Sequence, residues 1–392
     1  MSSRRKIGAI MVTGAAMLGA TFPGPAPAWA GTWHQVTELQ GSDTVANDDF
    51  GFTVATLPGT IVVGADGHAK DAGRVYVFTQ SAHGWHQSAE LVGSDTVAGD
   101  LFGFSLAAAP GMVVVSGYNH AKDAGRVYVF TQSAHGWHQS AELVGSDTVA
   151  GDYFGTSLAA APGVVVVGAI GHAKGAGRVY VFTQSAHGWH QSAELVGSGT
   201  VADSGFGTSV GASPGTIVVG ADGPAKETGR VYVFTQSAHG WHQSAELVGS
   251  DTVAGDYFGA SFATAPGLIV VGAIGHAKYA GRVYVFTEST HGWHQTAELV
   301  GSDTVAGDFF GASFAASSGT IIVGADGHAK GAGRVYVFTR SAHGWHQIAE
   351  LEGSDTVGGD AFGLPVAASL GTIVVGADGH AEHAGRVYLF QR

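Results

Sequence analysis

The sequence predicts an all-β fold, a seven-bladed β-propeller of four-stranded blades, and three observations carry that prediction. A Phe-Gly pair recurs at Phe50, Phe102, Phe154, Phe206, Phe258, Phe310 and Phe362, always 52 residues apart. A Trp keeps the same frame at Trp33, Trp85, Trp137, Trp189, Trp241, Trp293 and Trp345. A fixed period near 50 residues marks a propeller, a solenoid or an array. Each unit holds four short apolar or alternating segments cut by Gly, Pro and Asp turns, and no window has a helical period. Finally, the two ends are out of phase. The repeats begin on a fourth-strand segment, about residues 33–39, and end on a third-strand segment, RVYLF, at Phe390. The N-terminal segment therefore completes blade seven and removes an exposed edge. An open solenoid would instead need atypical capping repeats.

One unit, residues 102 to 153, shows the reading of each element. Phe102 to Ala109 (FGFSLAAA) is a short apolar run stopped by Pro110-Gly111. Met112 to Val115 is apolar on both faces, as expected of a strand sandwiched between neighbouring blades. Asn119 to Gly125 is a polar, Gly-containing loop, and Arg126 to Phe130 (RVYVF) is β-branched and aromatic. Ser133 to Gly136 is a turn. Trp137 to Leu143 alternates, with Trp137, Gln139, Ala141 and Leu143 on one side and His138, Ser140 and Glu142 on the other, which places it at the rim. Gly145 to Asp152 leads into the next Phe-Gly.

Ahead of the repeats, residues 1–30 read as a secretory signal. Arg4, Arg5 and Lys6 precede a weakly apolar run, and Ala28-Trp29-Ala30 fits a cleavage site. Ser3-Arg4-Arg5 with Ile7 partly fits a twin-arginine signal. Residues 31–392 then form one propeller domain, expected to be secreted, extracellular or periplasmic, and monomeric. No other segment has the length of apolar sequence that spans a membrane. There is no Cys, so disulfides and thiolate metal sites are excluded. Removing three cations from a net charge of −13 leaves −16, which repels phosphate backbones and argues against nucleic acid as a partner.

The repeat itself, Asp-x-Phe-Gly-x-Ser, then Val-Val-Gly-Ala, then Gly-Arg-Val-Tyr-Val-Phe, resembles the FG-GAP repeat over all seven units of residues 31–392. That resemblance implies the seven-bladed propeller of integrin α-chains and of secreted bacterial proteins, and a ligand-binding or adhesive role. The family often carries an Asp-x-Asp-x-Asp-Gly calcium loop between strands one and two. Here that connection is Ala109-Pro110-Gly111 and its equivalents, so those calcium sites are not expected.

Repeated side chains argue for structure rather than catalysis, since an active site needs one constellation. Asp95/Asp100 and their equivalents are expected to accept backbone N–H groups in turns. The His83-Gly84-Trp85-His86 copies read as solvated turns. The loop after strand two differs among blades. Blades six, seven and one carry Asp326-Gly327-His328, Asp378-Gly379-His380 and Asp66-Gly67-His68, whereas blades two, three and five carry Tyr118, Ile170 and Ile274 at the Asp position. Leu101, Tyr153 and Tyr257 precede Phe-Gly in the latter blades. The candidate ligand-binding set is therefore Tyr118, Tyr153, Ile170, Tyr257 and Ile274, an apolar sector on one face. The candidate metal set is Asp66, His68, Asp378, His380 and His383, whose donors suit zinc better than calcium. No cofactor is otherwise expected. No hydrolase, phosphate-loop or zincin motif is present. The function expected is a non-enzymatic binding or adhesion propeller for a protein or glycan ligand. The alternative is a metal-assisted hydrolase with its site in the central channel or the blade 6-7-1 sector.

Overall fold

The computed structural model describes residues 32–223, 228–369 and 371–392. The expected secretory signal lies outside these residues. Seven antiparallel four-stranded sheets follow one another along the chain, each in the order one-two-three-four. Blade one comprises Thr53–Leu57, Thr60–Ala65, Arg74–Ser81 and Gly84–Leu91. Blade seven joins Val366–Ser369, Thr372–Ala377 and Arg386–Gln391 to the N-terminal strand His34–Leu39. The register runs from His34 opposite Gln391 to Leu39 opposite Val387, so the chain ends close the ring as the sequence predicts.

The strand sequences explain the layering. Strands two and three are β-branched and aromatic, and Val75, Tyr76, Val77 and Phe78 are all buried. Strand four alternates half-buried and exposed residues along Gly84–Leu91 because only one of its faces meets a neighbour. The core is divided among the seams between blades. At the seam of blades seven and one, Phe50, Val54, Ile61 and Val63 pack with Ala367, Val374, Val387 and Leu389.

The Phe-Gly pair locks each seam. Phe102 is fully buried and packs edge-on against Tyr128 and Phe130 of its own blade, at 5.5 and 6.1 Å between ring centres. Its N–H donates to Ala72 C=O of the preceding blade at 3.1 Å, beside Gly73. A Cβ on Gly73 would lie 1.9 Å from Phe102 O, so only glycine admits this approach. A hydroxyl on strand one adds a second link in several blades. Thr53, Ser157 and Ser209 donate to the carbonyls of Gly103, Gly207 and Gly259 one blade on, at 2.7–2.8 Å.

The entry loops work as hydrogen-bonded corners. Asp100 Oδ2 accepts Val97 N–H at 2.8 Å, the turn role expected of it, and Asp95 accepts the Tyr128 hydroxyl at 2.7 Å. In blade four, Ser204 Oγ takes over from Asp and accepts Val201 N–H at 2.9 Å. A belt then ties the rims. Ser94 N–H donates to Gln139 Oε1 of the next blade at 2.9 Å, and Ser354 N–H donates to Gln35 at the same distance. The N-terminal strand thus joins the belt like any other fourth strand.

Candidate functional site

With antiparallel strands, the loop entering each blade and the loop between strands two and three emerge on the same face. Three positions per blade meet there, around the mouth of the central channel. They are the residue before Phe-Gly, the residue after strand two, and the residue ending the next turn. That turn, His68–Asp71 in blade one, is left-handed. Ala69, Lys70 and Asp71 have φ of 52°, 62° and 65°, and the same geometry recurs at Tyr279 and His383, both at 65°. The residue before Phe-Gly is left-handed too, with φ between 54° and 58° at Asp49, Leu101, Tyr153, Tyr257, Phe309 and Ala361. Only blade four uses glycine there, Gly205. A non-glycine residue in this region costs about 1–2 kcal/mol. The same left-handed corner recurs in every blade, so it belongs to the repeat, and what varies is the side chain it carries, from Ala361 to Tyr257.

The apolar sector is more deeply set than the sequence leads one to expect. Tyr118 is buried, stacked between Phe104 at 4.1 Å and Tyr153 at 5.0 Å, with interplanar angles of 17° and 18°. Phe104 in turn meets Phe52 at 5.6 Å. Ile274 is also buried and Ile170 is half-buried. Tyr118 is therefore covered by Phe104 of its own first strand and Tyr153 of the next blade, and neither Tyr118 nor Ile274 presents an accessible surface. The accessible aromatic edge consists of half-buried Tyr153, Tyr257 and Phe309 together with Tyr279, which is 43% exposed and meets Phe309 at 5.5 Å. Sequence reasoning missed Tyr279, Phe309, Phe104 and Phe52. The signal was present. Tyr279 stands where other blades carry Asp, Glu, Gly or His, and Phe309 directly precedes Phe-Gly in a blade assigned to the acidic sector.

The position after strand two is a ring of mixed character, Asp66, Tyr118, Ile170, Asp222, Ile274, Asp326 and Asp378. Asp222 of blade four was not foreseen as part of it. Burial pushes the Asp222 and Asp326 carboxyls up to about 7. Burial, then repulsion from Asp49 and Asp378, raises Asp66 well above the usual carboxylate range. A carboxyl raised in the folded state contributes stability that is full below pH ~4 and lost as pH rises through about 7. Asp326→Asn is therefore expected to stabilise the chain at pH 8, by roughly 1–3 kcal/mol after allowance for solvent, and by less than half as much at pH 5. Urea denaturation at the two pH values checks this, and an equal effect at both would contradict it.

The candidate metal set does not assemble as expected. His68 Nδ1 lies 2.8 Å from Asp48 Oδ2, and His380 Nδ1 lies 2.9 Å from Asp360 Oδ2. His120, His172, His276 and His328 make the same pair in their own blades. These histidines brace the entry loop, so the acidic sector is not distinguished by them. What converges instead is Asp49, Asp378 and His383, with one ligand atom of each within 4.8 Å of the others, and Asp66 beside them. The strand-one to strand-two turns carry no carboxylate. Pro58-Gly59 and Pro110-Gly111 span two residues between strands and do not fit calcium. At the other end of the seam between blades seven and one, a cavity of about 240 Å³ is lined by Leu57, Trp85, Thr372 and Gln391 among others, none of them titratable.

Among the described residues, no helix is long and apolar enough to cross a membrane. The family model for the FG-GAP repeat matches residues 33–78, 85–130, 137–182, 189–234, 241–286, 293–338 and 345–390. Among curated proteins, none matches the chain. Seven matches in register with seven blades place the chain in the FG-GAP repeat family, and it belongs to that family along its whole repeat region.

Proposed function

We propose that this FG-GAP repeat propeller is an exported, non-enzymatic binding module that holds a protein or glycan ligand against the channel mouth. The observation that supports it is where the blades differ. Strand three is RVYVFTQS in blades one to four, and strand four is GWHQSAEL in the same blades. The outer half of the ring is thus copied almost verbatim. Divergence gathers on strand one and on the three loop positions at the channel mouth, and at two of these, the residue before Phe-Gly and the residue ending the next turn, bulky side chains are kept in a backbone conformation that glycine adopts at lower cost. Aromatic side chains with a polar tip, held rigidly at the edge of a concavity, suit recognition of a ligand's apolar face with hydrogen bonds at its rim.

The hydrolase alternative has weaker support. The two carboxyls near 7, Asp222 and Asp326, belong to blades four and six, with blade five between them. General acid–base work needs such groups converging on one reacting atom. The test is binding of residues 31–392 to arrays of glycans and cell-surface proteins, with hydrolysis of the same ligands followed in parallel. Saturable binding without turnover supports the reading; turnover of a bound ligand overturns it.

A further inference from the structure

We propose that the end of the ring opposite the channel mouth carries a belt of histidines that binds an acidic polysaccharide at mildly acidic pH. The inference does not depend on the ligand at the channel mouth. With antiparallel strands, the turns between strands three and four lie at the end away from the mouth. Each of the first six blades places two exposed histidines there. In blade one they are His83 in the turn and His86 at the start of strand four, and the pair recurs 52 residues on in each following blade. With His34 of the N-terminal strand they make thirteen, all exposed. The turns are held alike. His83 N–H donates to Ser81 Oγ at 3.2 Å, Ser81 Oγ donates to Gly84 C=O at 3.0 Å, and the five copies keep both bonds. Imidazoles therefore stand at a regular interval round the ring.

Charge is segregated along the ring axis. Among the described residues, strands one and two carry no carboxylate in any blade, and strand three carries one, Glu288. Strand four carries one per blade, Glu90 and its equivalents, near the mouth end. Each of these pairs with the arginine that starts strand three, as Glu90 does with Arg74 at 2.7 Å. Glu90 is four residues from His86, about 13 Å along the strand, beyond the screening length of about 8 Å at physiological salt. The other carboxylates sit on the mouth-side loops. The groups beside the belt are uncharged. His86 stands opposite Thr79, His138 Nε2 lies 3.1 Å from Thr131 Oγ1, and His346 Nε2 lies 2.7 Å from Ser341 Oγ. Besides Glu288, the charged side chains at this end are Arg340 and Arg392. Six mouth-side histidines rest on an Asp of their own blade at 2.8–3.0 Å. The belt has no such internal anion among the described residues, so the charge that histidine gains on passing from pH 8 to pH 5 is directed outward.

A polymer suits such a belt better than a small anion, since many weak contacts along one chain add as avidity. The sulfate or carboxylate groups of an acidic polysaccharide also stay charged at pH 5. A bilayer fits less well. The exposed large apolar side chains gather on the mouth-side entry loops, as Val97 and Val149 do, and none stands in the belt turns. Nucleic acid fits less well too, because the Trp beside each pair packs into a seam, as Trp85 does, rather than standing free to stack on bases.

The test is binding of residues 31–392, which form the whole ring, to immobilised heparin at pH 5 and pH 8, with anionic vesicles and double-stranded DNA as separate arms. Heparin affinity is expected to be at least tenfold higher at pH 5 than at pH 8, and to fall as salt is raised. One variant replaces His83, His86, His135, His138, His187 and His190 with Gln. It should lose at least tenfold in affinity at pH 5 and nothing at pH 8. All six positions are exposed, so its thermal midpoint should stay within a few degrees of the parent's. A second variant, Lys70→Gln with Lys122→Gln and Lys174→Gln, removes exposed cations at the mouth end and should bind heparin like the parent. Heparin binding that is flat with pH overturns the belt, as does a histidine variant that binds like the parent at pH 5. So does a lysine variant that loses as much as the histidine variant. Tighter binding at pH 5 to vesicles or DNA than to heparin overturns the choice of a polysaccharide.

Discussion

Removal of residues 31–40 is expected to open the ring and lower the thermal midpoint by about 10 °C or more, with a broadened transition. The N-terminal strand is the fourth strand of blade seven. Without it, Arg386–Gln391 becomes an unpaired edge. Further contacts go with the strand. Leu39 leaves the core of the seam with blade one, the ion pair of Glu38 with Arg386 is lost, and Ser354 of blade six loses both Gln35 and Glu38. The Arg392 guanidinium, 5.1 Å above the Trp33 ring, loses its platform as well. Because each blade contacts only its neighbours, an open ring unfolds from its free ends rather than as one unit. Differential scanning calorimetry checks both midpoint and width. A peptide of residues 31–40 added in trans should recover part of the loss, and a truncated chain that melts like its parent would show that the first and last strands are not paired.

Gly177→Ala is expected to cost about 4 kcal/mol or more, far beyond an ordinary surface substitution. Gly177 sits at φ +84°, and a Cβ there would lie 2.0 Å from Phe206 O. The obstacle is the backbone of the next blade, which cannot swing aside like a flexible side chain. Gly188→Ala is the matched control. Its φ is +98° and a Cβ there meets nothing within 4 Å, so only the conformational cost of about 1–2 kcal/mol remains. Urea denaturation of the two variants separates the terms. Equal losses would mean that the close approach of blade to blade adds nothing, and that Phe-Gly is not the lock of the seam.

These two expectations rest on features that the sequence displays plainly. Seven blades, four strands each and closure by residues 33–39 follow from an unbroken 52-residue step and from ends that are out of phase. The channel mouth was less legible. Its pairings run between blades, and local patterns do not report them. Tyr118 looks exposed until Phe104 from its own first strand and Tyr153 from the next blade are seen to sandwich it. His68 and His380 look like ligands until each is found on an Asp exactly one loop earlier, a 20-residue spacing that recurs in six blades. The left-handed turn was hidden because Ala69 and Lys70 carry no glycine signal. Gly175 and Gly331, alternating with Asp71, Tyr279 and His383 at its last position, were the available clue.

The claim that matters most is that divergence at the channel mouth exists to hold a ligand. It is tested by replacing Tyr257 and Tyr279 together with glycine, the residue that blade four uses at the first position and blades three and six at the second. Both substitutions relieve left-handed backbone, so the folded chain should keep its thermal midpoint within a few degrees. Affinity for the ligand selected by the arrays should fall at least tenfold. A double variant that binds as tightly as the parent would contradict the account and leave these side chains as packing alone.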